Sequence, residues 1–276
     1  MYNKLWSLFH KSVCLLNFYT RRNIQYFRAT GFRFEDYVIS IFSREELEKA
    51  NYILIGFPAS SPTGYSEPLK ISVKELLSNL TWRSYDNLSV MMALPVLHSD
   101  FGLIPPLKYT KKTREDIGAP VAVISCSRQV DQLYIKTGMV SSYLKIGGEE
   151  FIFAEASFEQ GNSGSPLISV ESGRVIGVMT DCILLPVHNY KNLKKIIESN
   201  LMLLNNEDGL LFGNGNLDPA QVLAVNQHMI KKLAKEIYLT SQRNFSLAVP
   251  VETVARNIRH IEHKKQITVS KRTNSR

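Results

Sequence analysis

The chain has 276 residues, of which 44% are hydrophobic and 21% are charged, a composition typical of a globular protein with one large or two small domains. No apolar run reaches the roughly 18–20 residues that a membrane-spanning helix needs. No small-residue cleavage pattern follows the short early run at residues 13–16, so we expect no secretory signal.

The net charge of +8 is concentrated at the two ends of the chain. Residues 1–34 carry six basic and no acidic residues, residues 252–276 carry seven basic and two acidic ones, and the remainder therefore sums to −3. Solvated ends explain this pattern, although contact with nucleic acid or an anionic membrane would use the same charges. The three unclustered cysteines argue against a disulfide framework and favour an intracellular setting, with mitochondrial and peroxisomal locations left open.

Short runs rich in Val, Ile, Tyr and Phe alternate with turn residues along most of the chain, which is typical of an all-β sandwich or barrel. The predicted strands, in chain order, are Ser12–Phe18, Gln25–Phe34, Tyr37–Ile41, Tyr52–Phe57, Leu88–Leu94, Val121–Ser125, Tyr134–Leu144, Phe151–Ala154, Ser165–Ser169 and Arg174–Thr180.

The pattern changes to helix and polar loop between about residues 184 and 243, which we interpret as an insertion between two strands. Asp218 and Pro219 form a cap and first-turn proline, which predicts that a helix begins there. Apolar residues at helical spacing from Val251 to Ile261 predict a terminal helix laid against the barrel.

The segment Gly161-Asn162-Ser163-Gly164-Ser165-Pro166 has the properties of a nucleophile turn. A serine nucleophile must project from a sharp turn whose backbone N–H groups face the developing oxyanion. Glycines allow backbone conformations that a Cβ would forbid. We therefore assign Ser163 to the nucleophile position and the N–H groups of Gly161 and Ser163 to an oxyanion hole.

Several further motifs occur in a consistent order around this turn. They are Ala29-Thr30-Gly31-Phe32, Leu88-Ser89-Val90-Met91, Gly118-Ala119-Pro120-Val121, Thr137-Gly138-Met139-Val140, Gly173-Arg174-Val175-Ile176-Gly177 and Phe245-Ser246-Leu247-Ala248-Val249-Pro250. Together with the turn, they make the chain from about residue 12 to 258 resemble the trypsin-like serine proteases, and among them the HtrA/Deg type. The resemblance implies two six-stranded antiparallel β-barrels with added helices.

The resemblance also implies a domain layout. A basic tail is expected at residues 1–11 and another at 259–276, flanking a double-barrel domain at 12–258. The N-terminal barrel would cover about 12–110, and the C-terminal barrel about 111–183 and 244–258, with the insertion at about 184–243 between the parts of the second barrel.

Two of the residues that activate a serine in this family are replaced here. The position of the catalytic histidine holds Ser43, and the position of the catalytic acid holds Asn87. Without an adjacent base a serine hydroxyl is a poor nucleophile, so we expect a pseudoprotease that acts as a protein- or peptide-binding module. The alternatives are an active peptidase whose triad is rearranged around His188 or Asp86, and a basic-tailed scaffold for anionic partners.

The expected substrate pocket and partners follow from the same resemblance. Ser157, six residues before the nucleophile, would lie at the pocket base and would favour a small or apolar side chain. The chain contains no glycine-rich phosphate loop, metal-ligand cluster or cofactor motif, so we expect no cofactor. The oligomeric state stays open.

Overall fold

The computed structural model describes residues 2–58, 66–83, 89–95, 99–110, 114–126, 132–157, 159, 161–180, 187–206, 219–241 and 246–260. The chain forms two compact units, one made of residues 1–181 and 245–276 and the other of residues 182–244. The first unit contains the strands, and the second contains two helices.

An antiparallel sheet of seven strands forms the N-terminal half of the first unit. Its strands are β1 (Val13–Tyr19), β2 (Gln25–Phe34), β3 (Tyr37–Ser43), β4 (Tyr52–Gly56), β5 (Leu69–Ser72), β6 (Leu80–Arg83) and β7 (Ser89–Pro95). They lie in the order β5-β4-β1-β2-β3-β7-β6. Large side chains that include Phe18, Phe42 and Ile53 fill its core, and the rings of Phe18 and Phe42 meet edge to face at 5.1 Å.

This sheet corrects one detail of the sequence prediction, which expected a closed barrel of six strands here. Among the described residues, the edge strands β5 and β6 each pair with one neighbour and not with each other. Both have only four residues, and the short helix α3 (Val73–Ser78) connects them. The N-terminal half is therefore a half-barrel of seven strands.

The C-terminal half is a closed six-stranded barrel, which confirms that part of the prediction. Its strands are β8 (Pro120–Cys126), β9 (Leu133–Ile146), β10 (Glu149–Glu155), β11 (Pro166–Ser169), β12 (Arg174–Thr180) and β13 (Ser246–Pro250), which close in the order β10-β13-β12-β11-β8-β9. Alternate residues such as Val121, Leu167 and Ile176 point inward and form its core.

Helices cover the outside of the first unit. The segment expected as a basic tail begins with α1 (Tyr2–Phe9), whose Leu5 packs on Ala122 and Val170 of the closed barrel. Helix α2 (Arg44–Lys49) follows β3, and α4 (Ser99–Gly102) precedes the connection to the second half. Helix α7, residues 251–260, follows β13 where the sequence predicted a terminal helix, and it buries Val254 and Ile258.

The second unit consists of α5 (Val187–Asn206) and α6 (Pro219–Ser241). Helix α6 begins at Pro219, the position that the cap and proline predicted. The two helices contact each other, and Lys231 of α6 pairs with Glu198 of α5 at 2.8 Å. None of the helices in the described part of the chain is long and apolar enough to cross a bilayer.

Candidate active site

The turn that carries Ser163 lies between β10 and β11 and is buried. Ser163 is 2% exposed, and its neighbours Asn162 and Ser165 are 1% and 0% exposed. Two glycines give the turn its shape, because Gly161 has a φ of 109° and Gly164 a φ of 82°. Side chains with a Cβ rarely adopt such angles, so the two glycines are required by the backbone conformation.

Gly164 is also required by a close approach between the two halves of the first unit. A Cβ at this position would clash with the carbonyl oxygen of Thr30 and with the hydroxyl of Ser40. The turn therefore presses directly against β2 and β3 of the N-terminal sheet, and only a residue without a side chain fits there.

Thr30 holds the turn to the N-terminal sheet through both its backbone and its side chain. Its backbone N–H donates to the Ser163 carbonyl at 2.9 Å, and its hydroxyl donates to the Gly161 carbonyl at 2.6 Å. The same hydroxyl accepts from the backbone N–H of Cys126 at 3.0 Å, while the Ser40 hydroxyl donates to the Thr30 carbonyl at 2.6 Å. These four bonds join β2, β3, β8 and the turn, and all of the hydroxyls involved are buried.

The side chain of Asn162 anchors the other side of the turn to the closed barrel. Its Nδ2 lies within 2.9 Å of three acceptors, which are the Ser125 hydroxyl, the Cys126 carbonyl and the Tyr134 hydroxyl. Its Oδ1 accepts from the backbone N–H of Glu159 at 2.8 Å. An amide nitrogen has only two hydrogens, so two of these three acceptors share one hydrogen.

Lys136 of β9 adds a charge to this network. Its Nζ donates to the Asn162 Oδ1 at 3.2 Å and to the Ser157 carbonyl at 3.1 Å, and it pairs with the Glu159 carboxylate at 3.1 Å. Its side chain is 14% exposed, whereas that of Glu159 is 47% exposed. One half-buried ammonium thus connects both ends of the segment 157–162 that leads into the nucleophile turn.

Tyr134 completes the packing behind Asn162. Burial raises the pKa of its hydroxyl, while hydrogen bonds from Asn162 and Ser125 act in the opposite direction. The hydroxyl also donates to the Cys126 carbonyl at 3.3 Å. Ionisation would place a charge away from water and would remove the hydrogen that bonds the Cys126 carbonyl. The Tyr134 hydroxyl therefore stays neutral.

Ser43 is the last residue of β3, directly opposite Ser89 of β7. Three residues earlier on the same strand, the hydroxyl of Ser40 approaches Gly164 of the nucleophile turn. Strand β3 therefore contacts the turn at Ser40 and ends at Ser43. Ser43 occupies the N-cap position of α2 but makes no side-chain capping bond. Capping therefore does not explain why a serine stands at this position.

The remaining residues predicted for the site are not brought together by the described part of the structure. Asn87 and Asp86 lie outside the described residues. His188 belongs to α5 in the second unit, and its side chain also lies outside the described residues. Ser157 is exposed just after β10, and Lys136 binds its carbonyl.

Three other histidines are described, and each has a place outside the nucleophile turn. His10 donates through Nδ1–H to the Trp6 carbonyl at 2.6 Å, and its ring stacks on that of Trp6. His228 is exposed on α6, and His260 is exposed at the end of α7. Among the described residues, no group of three or more His, Cys, Asp or Glu could hold a metal ion.

A groove of about 1350 Å³ lies between α7, the β9–β10 hairpin and the connection between the two halves. Both charge signs line it, including Lys145, Glu252 and Arg256, and Arg114 pairs with Glu150 at its edge. Asn257 also lines the groove, and its Nδ2 is buried without a hydrogen-bond partner among the described residues. The groove can therefore offer charged side chains of both signs to an extended segment.

The sequence analysis missed the residues that hold the turn, namely Thr30, Ser40, Lys136 and Glu159. Thr30 and Ser40 occur within ordinary alternating strands, and nothing in their spacing distinguishes them from other buried hydroxyls. Lys136 was not identifiable either, because a lysine in a strand normally marks a solvent-facing position.

Comparison with known proteins agrees with this architecture. A model of the trypsin-like peptidase domain matches residues 79–178, which include the nucleophile turn and Asn87 but not Ser43. No curated protein sequence matches the chain.

Solved structures of serine proteases are similar to the chain at low sequence identity. The inactive form of a serine-to-alanine mutant of Rv3671c from M. tuberculosis H37Rv is 14% identical, with a TM-score of 0.52 over 95% of this chain and 91% of that one. The HtrA-type protease AlgW with a tripeptide is 15% identical, with a TM-score of 0.49 over 65% and 54%. A serine endoprotease from Yersinia pestis is 18% identical, with a TM-score of 0.48 over 71% and 66%.

Only the first of these structures exceeds a TM-score of 0.5, so it carries the structural comparison. Its low identity supports the fold and leaves the activity to be argued from the site. The chain has the trypsin-like two-barrel fold, and its residues 79–178 match the trypsin-like peptidase domain.

Proposed function

We propose that the chain is a catalytically inactive homologue of the trypsin-like proteases that binds a peptide or a segment of another protein. The observation that carries the proposal is Ser43, which stands at the end of β3 where an active member of this family has its general base. A serine hydroxyl at position 43 cannot accept the proton of the Ser163 hydroxyl near neutral pH, because it is far less basic than the imidazole that it replaces.

The expected size of the effect supports inactivity. Removing the base from a comparable triad lowers kcat by about 10⁶. The residual rate from an oxyanion hole and substrate binding is about 10³–10⁴ above that in water. Such a rate is too low for a protease that turns over its substrate.

The burial of Ser163 supports the same proposal. The whole residue is 2% exposed and so offers little surface to an incoming peptide carbonyl. A reacting carbonyl carbon has to approach the nucleophile to within about 3–3.5 Å. Substrate would therefore have to move the surrounding residues before it could react.

The binding role is inferred from the groove beside α7. Its volume of about 1350 Å³ and its mixed charges suit an extended polar peptide. Acidic side chains of the peptide can pair with Arg256, and basic ones can pair with Glu252.

Peptide hydrolysis tests inactivity directly. The full chain is incubated with a mixed peptide library, and the products are compared by mass spectrometry with those of Ser163→Ala. We expect the two product profiles to be the same. Cleavages that occur with the native chain and disappear in Ser163→Ala would contradict the proposal.

Peptide selection tests the binding role. Peptides that bind the immobilised chain are selected, and hydrogen exchange is then measured with and without the selected peptide. We expect protection of residues 149–151 and of α7, together with weaker binding to Arg256→Glu than to the matched exposed variant Arg22→Glu. Protection confined to other segments would refute the groove as the site.

The second candidate function is an active peptidase with a rearranged triad. The preserved shape of the turn favours it, because Gly161, Gly164 and the bond from Thr30 to the Ser163 carbonyl retain a demanding geometry. It predicts Ser163-dependent cleavage that is lost in His188→Ala or Asp86→Asn without any loss of folding. If both variants cleaved as fast as the native chain, neither His188 nor Asp86 would be a partner of Ser163 in a rearranged triad.

A further inference from the structure

The β9–β10 hairpin has a short stretch of sheet edge with a neighbouring strand on one side only. Strand β10 pairs with β9 along its whole length, from Glu149 to Glu155, but it pairs with β13 only from Ile152 to Ala154. We call residues 149–151 the open edge of β10, because among the described strands they pair with β9 alone. The same three residues line the groove beside α7. The open edge is therefore part of the wall of the groove.

Pro250 ends the pairing between β10 and β13 at this point. Ile152 of β10 lies opposite Ala248 of β13, so continued pairing would place Glu150 opposite Pro250. A proline has no N–H to give to a ladder of hydrogen bonds. Strand β13 ends at Pro250, and the chain continues as α7 from residue 251. The position of a strand beside Glu150 is therefore left open.

The turn of the hairpin decides which backbone groups face this open position. It consists of Gly147 and Gly148, whose φ angles of 59° and 88° are those of a two-residue type I′ turn. Ile146 and Glu149 lie opposite each other beside the turn, and a pair at this position exchanges both of its backbone hydrogen bonds. The backbone groups of successive residues point to opposite sides of a strand. The N–H and C=O of Glu150 therefore point away from β9, towards the open side.

We propose that a peptide binds in the groove by adding a strand to the open edge of β10. Its backbone would accept from the N–H of Glu150 and donate to the C=O of Glu150, in the position where β13 stops at Pro250. Extended peptides join exposed sheet edges by main-chain bonds of this kind. The inference rests on the peptide-binding function proposed above and specifies how the peptide is held.

Helix α7 supplies the side chains that would distinguish one peptide from another. Glu252, Arg256 and Arg259 of this helix line the groove together with the open edge. All three are exposed, so their charges are accessible to the side chains of an added strand. Main-chain bonds would then give affinity for an extended segment, and the charges of α7 would select among sequences.

The charge of Glu150 argues against a second copy of the chain as the occupant. Glu150 is the residue of the open edge whose backbone groups face outward, so a two-fold contact between two open edges would pair it with the same residue of the other copy. The two carboxylates would lie on directly opposite residues, and like charges in this arrangement are destabilising. A peptide need not carry an acidic residue at the pairing position, so a peptide is the favoured occupant.

A proline at position 150 tests the backbone bond. Peptide selection on the immobilised full chain supplies the probe, which is its most enriched peptide made synthetically. Glu150→Pro and Glu150→Ala both remove the carboxylate, but only proline removes the N–H that faces the groove. Proline is tolerated at sheet edges where its missing N–H faces outward, and amide exchange of the free variants verifies that the β9–β10 hairpin is kept. We expect the dissociation constant to be at least about fivefold higher for Glu150→Pro than for Glu150→Ala, the effect of losing one hydrogen bond.

Methylation of the peptide backbone keeps the proposal testable if Glu150→Pro loses the hairpin. Copies of the same peptide are N-methylated at one residue at a time, and their binding to the native full chain is measured. We expect the dissociation constant to rise at least about fivefold at one position. Methylation of the two adjacent residues should have a smaller effect, because their N–H groups would point away from β10.

Three outcomes would overturn strand addition. Equal affinities of Glu150→Pro and Glu150→Ala, or of all the methylated copies, would mean that the peptide is held by its side chains; continued protection of residues 149–151 and α7 would then leave the proposed function standing. Protection of the open edge that grows with protein concentration in the absence of peptide would assign it to a second copy. Selected peptides that protect neither the open edge nor α7 would contradict the groove as the peptide site as well.

Discussion

The backbone N–H of Thr30, in the N-terminal sheet, donates to the carbonyl oxygen of Ser163 at 2.9 Å. This bond fixes the nucleophile turn, which belongs to the closed barrel, to the other half of the fold. The side chain of Thr30 and the missing side chain of Gly164 support the same contact.

Gly164→Ala should destabilise the protein more than Gly148→Ala. The two glycines have similar φ angles of 82° and 88°, but a Cβ at 164 meets Thr30 and Ser40 whereas one at 148 meets nothing within 4 Å. A residue held in this region costs about 1–3 kcal/mol, and overpacking should add about 1–3 kcal/mol at 164 alone. Chemical unfolding of both variants measures the difference, and equal losses would contradict the close approach.

Thr30→Val should lower the free energy of unfolding by about 2–4 kcal/mol, because it leaves the Gly161 carbonyl and the Cys126 N–H buried without the hydroxyl. Thr30→Ser keeps the hydroxyl and removes only a methyl group. It should therefore cost about 1 kcal/mol. A serine variant as unstable as the valine variant would mean that packing, and not the two hydrogen bonds, holds this junction.

Lys136→Met should loosen the segment that leads into the nucleophile turn. It removes the bonds to Asn162 and Ser157 and the ion pair with Glu159. Since Glu159 is half exposed, the loss of global stability should be only about 1 kcal/mol. The clearer signal is faster amide exchange at residues 159–163, with no change in Lys145→Met, an exposed lysine of the same strand. Unchanged exchange in Lys136→Met would remove Lys136 from this role.

Tyr134→Phe should change how stability depends on alkaline pH. Burial raises the pKa of Tyr134, so the folded protein keeps this proton above the ordinary pKa of about 10, while the unfolded chain loses it. The unfolded state then binds fewer protons, and stability falls as pH rises through this window. The stability difference between the native chain and Tyr134→Phe should therefore narrow above about pH 10. A constant difference from pH 8 upward would contradict a buried neutral phenol.

The sequence predicted most of the fold, because strand alternation and turn residues are local signals. The bounds of β2 and β12 match the prediction, and most other strands differ by one or two residues at their ends. The sequence did not predict β5 and β6, each of four residues, since segments this short carry almost no periodicity. They form the two edges of the N-terminal sheet and do not pair with each other, so this half is a half-barrel and not the closed barrel expected.

The site was predictable only where glycine marks an unusual backbone. Gly161 and Gly164 identified the turn around Ser163, and the structure gives both the positive φ angles that such a turn requires. The contacts of Lys136 with Glu159 and Asn162 depend on how the chain folds back between β9 and the loop before the turn. No residue spacing encodes that approach, so sequence reasoning could not find it.

We infer that the nucleophile turn is intact, while Ser43 in place of the base and Asn87 in place of the acid leave Ser163 without activation. The most direct test is labelling by a fluorophosphonate. It compares the native chain, the double variant Ser43→His/Asn87→Asp and a triple variant that also carries Ser163→Ala. We expect no labelling of the native chain, labelling of the double variant, and loss of that labelling when Ser163→Ala is added. Labelling of Ser163 in the native chain at the rate of the double variant would contradict it.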